Sequence, residues 1–159
     1  ITAIDTNIFY DLLVNDVEFE ISSKESLQKQ ADQGSLIIAP VVFSELLVYF
    51  IKKYQPDKAV LLLKEFLQDM GVTIIHFSER DYILASEAWC KFGGKKEIEC
   101  PNCGHTNIFS CSKCKHKVSW RNHILNDFMI GAHAQNNADC VLTRDRGYYR
   151  KYFKIKIIE

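Results

Sequence analysis

The sequence predicts an α/β fold with a parallel sheet of about five strands. Two observations carry that expectation. Short apolar runs suited to buried strands alternate with longer segments of helical periodicity, the pattern of strand–helix–strand units with right-handed crossovers. Acidic residues recur just after those runs or at helix openings, at the sheet edge where open α/β proteins bind ligands. The stretch 124–147, ILNDFMIGAHAQNNADCVLTRDRG, shows both features together. Asp127 sits near the start of a helix and shares its face with Ile130, Gly131 and Ala134, two of them small enough for close packing. Cys140 to Thr143 then reads as a strand covered on both faces, and Asp145 lies directly beyond it.

The other elements follow in order. Ile1 to Ile4 reads as a first strand, ended by Asp5-Thr6-Asn7, with a short helix from Ile8 to Asn15. Ser23 to Gln33 is a weak polar helix closed by Gly34. Leu36 to Ala39 is a second strand, and Pro40 opens a helix whose buried stripe is Val42, Leu46, Tyr49 and Phe50. Glu45 falls in the first turns of that helix. Pro56 starts a helix with Ala59, Leu63, Phe66, Leu67 and Met70 on its apolar face, stopped by Gly71. Val72 to Phe77 reads as a third strand, Glu79 to Phe92 as a helix broken by Gly93-Gly94, and 154–158 as a last strand after a basic, aromatic turn. Tyr148, Tyr149, Tyr152 and Phe153 in that turn read as packing residues.

At 159 residues the chain has room for one domain with a real core, and 47% apolar content fits a globular protein. No apolar run is long enough for a membrane span, and no signal peptide is visible. Zero formal net charge means that any nucleic-acid contact must come from local patches. Four of the six cysteines fall in two CxxC pairs, which suits metal binding in a reducing cytoplasm better than a disulfide framework.

Those pairs, Cys100/Cys103 and Cys111/Cys114, lie in an insert over 95–119 that divides the α/β domain into 1–94 and 120–159. Two such turns, seven residues apart, are the knuckles of a zinc ribbon. Four thiolates close the coordination sphere, so the expected Zn²⁺ is structural; iron, or a dithiol redox role, are the alternatives. The insert is too small to bury a core of its own. His105 and His116 are spare candidates, and with four cysteines available they read as surface residues.

Asp5, Glu45, Asp127 and Asp145 stand apart as a constellation. Three follow strands and one opens a helix, so a parallel sheet brings them to one edge. Each also has an ordinary role open to it: helix cap, turn, or partner of the helix dipole. Carboxylates gathered in one pocket repel one another, and a hard divalent cation relieves that repulsion. An acidic Mg²⁺ or Mn²⁺ pocket suits phosphodiester hydrolysis. Two basic patches could meet a phosphate backbone: Arg144, Arg146, Arg150, Lys151, Lys154 and Lys156, and, in the insert, Lys113, Lys115, Lys117 and Arg121 beside Trp120.

IDTNIFYDLL, SELL, NDFMIGAHA and LTRDRGYY, at 4–13, 44–47, 126–134 and 142–149, resemble the successive motifs of PIN-domain nucleases, especially the VapC toxins of type II toxin–antitoxin systems. The resemblance implies a three-layer α/β/α fold with five parallel strands. It implies Mg²⁺- or Mn²⁺-dependent RNA cleavage that leaves a 5′-phosphate and a 3′-hydroxyl, and it points to an antitoxin partner and a homodimer. By motif, Asp5, Glu45, Asp127 and Asp145 match the acidic quartet, and Thr6, Asn7 and Thr143 match the polar positions that orient it. The cysteine insert departs from ordinary VapC proteins. An rRNA-maturing PIN nuclease and a non-catalytic RNA- or protein-binding module are the competing readings, and a preference for DNA is also open.

Overall fold

The computed structural model describes residues 1–92, 98–99, 106–107, 109–110, 112–115, 117–118 and 125–159. The chain runs β1 (Thr2–Ile4), α1 (Thr6–Leu13), α2 (Glu20–Gln33), β2 (Leu36–Ile38), α3 (Pro40–Ile51), α4 (Pro56–Asp69), β3 (Val72–Ile74) and α5 (Glu79–Phe92). Then come β4 (Ile98–Glu99), β5 (Thr106–Asn107), β6 (Phe109–Ser110) and β7 (Lys117–Val118), followed by α6 (Leu125–Asn137), β8 (Cys140–Leu142), α7 (Arg146–Tyr152) and β9 (Lys156–Ile158).

Five strands form one parallel sheet in the order β3-β2-β1-β8-β9. A register row crosses it through Thr73, Ile37, Ala3, Val141 and Ile157. Every residue of β1, β2 and β8 is buried, so helices cover both faces, as an all-parallel sheet requires. The chain steps from β1 towards β2 and β3, then returns to lay β8 on the other side of β1. The crevice between β1 and β8 is therefore the topological switch point.

Prolines start α3 and α4 as expected, where the missing N–H is not needed. Gly71 sits at φ 66° and ends the α4 turn in a conformation that favours glycine. Gly34 is extended at φ 168°, so the end of α2 does not depend on its being glycine. The strands are shorter than expected: β3 ends at Ile74 rather than Phe77. The segment expected to be a basic, aromatic turn is a helix, α7. Tyr149 and Phe153, four residues apart, are buried there, and Tyr149, Tyr152 and Phe153 make the apolar stripe of so short a helix.

α6 packs mainly on α5, and their seam is polar as well as apolar. Asp81, 1% exposed, accepts from the Ser78 N–H and hydroxyl and from the Asn136 and Asn137 amides. Buried His133 donates its Nε2–H to the Ile75 carbonyl at 2.9 Å, and burial pulls its pKa down, so the ring is neutral at pH 7. Gly131 faces Phe153 so closely that an added Cβ would stand 2.2 Å from the ring's Cε2, well inside contact distance. Gly131→Ala is therefore expected to destabilise the protein by about 1–3 kcal/mol through overpacking, outweighing the roughly 1 kcal/mol that alanine gains in helix propensity. Urea denaturation reads this directly as a lower midpoint at unchanged slope.

Among the described residues, the insert holds two antiparallel ribbons, β4 with β5 and β6 with β7. Cys100, Cys103, Cys111, His105, His116, Trp120 and Arg121 lie outside the described residues, and so do the side chains of Lys117, Arg146 and Tyr148. Cys114 is exposed and free of a disulfide; Cys140 is buried beside Thr2. No helix among the described residues is long and apolar enough to cross a membrane.

Candidate active site

Because Ile4 and Leu142 are in register, the residues that follow them, Asp5 and Thr143, leave the sheet side by side. The Thr143 hydroxyl donates to Asp5 Oδ2 at 2.6 Å. Asp5 is also the N-cap of α1, its Oδ1 accepting the Thr6 N–H at 2.7 Å, so the ordinary capping role and a place in the pocket coexist in one carboxylate. Asn7 Nδ2 donates to Asp5 Oδ2 at 2.9 Å and to Thr143 Oγ1 at 3.1 Å. Glu45 reaches the same edge from α3. It accepts the Thr6 hydroxyl at 2.5 Å and the Asn126 amide at 3.3 Å. Asp127 stands in the first turn of α6. Asp145 follows β8, its N–H donating to Thr143 Oγ1 at 3.0 Å.

All four acids line one cavity of about 260 Å³, together with Thr6, Asn7, Tyr10 and Tyr149. Among the described residues no three acidic, cysteine or histidine side chains are drawn into a closed metal-binding cluster.

Asp5 is the most enclosed of the four, at 8% exposure. Burial raises its pKa to about 6, against hydrogen bonds from Thr143, the Thr6 N–H and Tyr149 that stabilise the anion; the Asp127 charge adds to the rise. The consequence for stability has a definite sign. A carboxyl raised in the fold from 3.8 to about 6 contributes stability that is fully present below pH 4 and lost as pH rises through 6. That rise corresponds to about 3 kcal/mol. Thermal unfolding in EDTA is expected to show Asp5→Asn more stable than the parent at pH 8, with the difference shrinking towards pH 4. An equal difference at both pH values would place the cost elsewhere.

The predicted quartet and its polar neighbours Thr6, Asn7 and Thr143 thus meet at one edge. The predicted RNA contacts fare differently. Arg144 is not a free cation: its Nη2 pairs with Asp11 Oδ1 at 2.6 Å and its guanidinium lies 4.4 Å from the centre of the Phe19 ring. Arg150, Lys113 and Lys115 are exposed. Four pocket or support residues were not read as such in the sequence: Tyr10, Asp11, Asn126 and Tyr149, the last taken for packing alone. Tyr149 is 2% exposed and bonds Asp5 through its hydroxyl, so it does more than pack. It lies four residues after Asp145, a spacing that signals a shared face once 146–152 is read as a helix. Tyr10, whose hydroxyl donates to the Glu45 carbonyl at 2.9 Å, stands four residues after Thr6 in the same way.

Fold and pocket together put the chain in the class of α/β nucleases with a carboxylate-lined crevice. A family model for the PIN domain matches residues 2–154, and the chain belongs to the PIN-domain family. No curated protein matches it at the sequence level. Solved structures share the fold at low identity. VapBC-1 from nontypeable Haemophilus influenzae superposes with a TM-score of 0.66 at 13% identity, covering 99% of this chain and 96% of that one. VapBC2 from Rickettsia felis, bound to a DNA fragment from its promoter, gives 0.63 at 19% identity, covering 99% and 96%. VapC20 of Mycobacterium tuberculosis, described as a sarcin–ricin loop cleaving toxin, gives 0.55 at 11% identity, covering 97% of each.

Proposed function

We propose that this chain is a Mg²⁺- or Mn²⁺-dependent endoribonuclease and the toxin of a type II toxin–antitoxin pair. The observation that carries the reading is the meeting of Asp5, Glu45, Asp127 and Asp145 in one cavity at the sheet's switch point. The donor set fits the ion. It consists of carboxylate oxygens, the ligands hard cations prefer, and burial of Asp5 leaves an anion that gains from a nearby positive charge. An ion held there would supply Lewis acidity, to activate water as the nucleophile and to offset charge on a phosphate oxygen.

The chain's own groups do the positioning. The four acids would hold the ion. Thr143, Asn7 and the Thr6 N–H fix the rotamer of Asp5, and Thr6 and Asn126 aim Glu45. Exposed Arg150, Lys113 and Lys115 are available for phosphates on either side of the cut. The structural likeness to VapBC complexes and to a toxin described as cutting the sarcin–ricin loop supports RNA as substrate and an antitoxin as partner. Exposed apolar side chains on the α1–α2 side, Val14, Val17 and Ile21, are consistent with a protein partner.

The same reading gives the insert a structural Zn²⁺ held by Cys100, Cys103, Cys111 and Cys114. In sequence the first CxxC falls between β4 and β5 and the second between β6 and β7, so each pair belongs to the connection of an antiparallel ribbon. The Cys-x-x-Cys spacing of each pair is one that structural zinc sites use.

The test is to incubate the purified protein with total RNA and with single-stranded DNA, in Mg²⁺, Mn²⁺ or EDTA, and to sequence the ends. Discrete RNA cuts bearing 5′-phosphates, present only with metal, are expected. RNA left intact in both metals would overturn the reading, and cuts confined to DNA would replace its substrate.

A further inference from the structure

We infer that Arg144 is a positioning residue: its ion pair with buried Asp11 clamps the loop between β8 and α7 and so holds Asp145 and Asn7 in the pocket. The inference rests on the nuclease reading above. It starts from three consecutive side chains that leave β8 in different directions. The Thr143 hydroxyl goes to Asp5, and Asp145 lines the acidic cavity. Arg144, between them, turns the other way, into a second cavity of about 520 Å³ lined by Ile8, Phe19 and three serines of α2 among others.

The anchor on that far side is built. Asp11 is 1% exposed, although it sits in the otherwise apolar run IFYDLL. One of its oxygens accepts the Ser23 hydroxyl at 2.5 Å and the other takes Arg144 Nη2 at 2.6 Å. Phe19 covers the guanidinium, which is itself only about one-third exposed. If Arg144 swung out to meet a phosphate, a carboxylate would be left buried without its cation, which is strongly unfavourable. The arginine is thus committed inward, and an anchored planar guanidinium is rigid in a way a free lysine is not.

The clamp reaches the pocket through the backbone. The Arg144 N–H donates to Asn7 Oδ1 at 3.3 Å, while Asn7 Nδ2 donates to Asp5. The next N–H, that of Asp145, bonds the same Thr143 hydroxyl that holds Asp5. Asn7 and Asp145 line one cavity, and their chain neighbours Ile8 and Arg144 line the other. The Asp11–Arg144 pair is the tie across that wall. It acts on the reacting groups only by placing Asp145 and Asn7, so its loss should reach metal affinity and turnover more than substrate affinity.

Asp11→Asn, Arg144→Gln and the double variant test this. The double removes both charges, so a fold weakened in a single variant by an unpaired buried ion is recovered there. Two readouts are taken: calorimetric titration with Mn²⁺ alone, and steady-state cleavage of a fluorophore–quencher oligoribonucleotide. Each single variant is expected to lower kcat about 10- to 100-fold with KM within about twofold, and to weaken Mn²⁺ binding. The double should lose no more than one single, because both changes break one interaction. A folded double variant with parental kcat and Mn²⁺ affinity would overturn the clamp. So would an Arg144→Gln protein whose KM rises at constant kcat, or tighter RNA binding in Asp11→Asn, because either makes Arg144 a phosphate contact. A parent that binds Mn²⁺ but cuts no RNA, with Mn²⁺ binding still weakened in the variants, would sink the nuclease reading and leave the clamp standing.

Discussion

Asp5→Asn and Asp127→Asn will each reduce metal-dependent RNA cleavage by at least about a hundredfold while the protein stays folded. Groups that merely orient metal ligands typically cost 10- to 100-fold when removed, so loss of a ligand itself sets a higher floor. The two positions separate the possible causes. Asp5 is buried, caps α1 and holds a hydrogen-bond network, so its asparagine variant changes charge with little change of shape. Asp127 is half-buried on a different element, α6, and lines the same cavity. A common effect of both on turnover, with unchanged circular dichroism, therefore points to the pocket rather than to either helix. Full activity in both variants, or equal residual activity in EDTA, would remove the pocket from the chemistry.

Cys100→Ser with Cys103→Ser is the second large effect expected. The parent should carry about one zinc per chain, and the variant none. Because the core residues lie in the five-stranded sheet and the helices around it, losing the metal should leave α1–α6, α7 and the sheet cooperative. Limited proteolysis should then cut within 95–120 while the α/β part resists. Small metal-held segments fold with their metal and unfold without it. If the whole chain lost its unfolding transition on chelation, the insert would belong to the core and the boundaries at 94 and 120 would be wrong.

How much of this could be read from sequence depended on what kind of signal each residue carried. The convergence of Asp5 and Asp145 was legible because residues that follow strands of a parallel sheet lie at one edge, and these two do line one cavity; that β1 and β8 are neighbours came only with the structure. α3, α4 and α5 were legible because their apolar stripes are long and Pro40 and Pro56 mark two of the starts. α7 was not. Seven residues give less than two full periods, and Gly147 reads as a breaker. Misreading α7 hid Tyr149, whose link to the site depends on helical spacing from Asp145. Arg144 was misread for a different reason. A run of basic residues looks the same whether its members face water or a buried partner, and that partner, Asp11, is 133 positions away in an apolar helix. Pairing over such a distance follows from packing, which local pattern does not carry.

The most direct test of the central claim is a crystal grown or soaked in Mn²⁺, with anomalous diffraction measured at the manganese edge. The account predicts an anomalous peak within coordination distance of Asp5 and at least one of Glu45, Asp127 and Asp145, lost in the Asp5→Asn crystal. A well-ordered pocket with no manganese at millimolar concentration, or manganese bound only elsewhere, would contradict it.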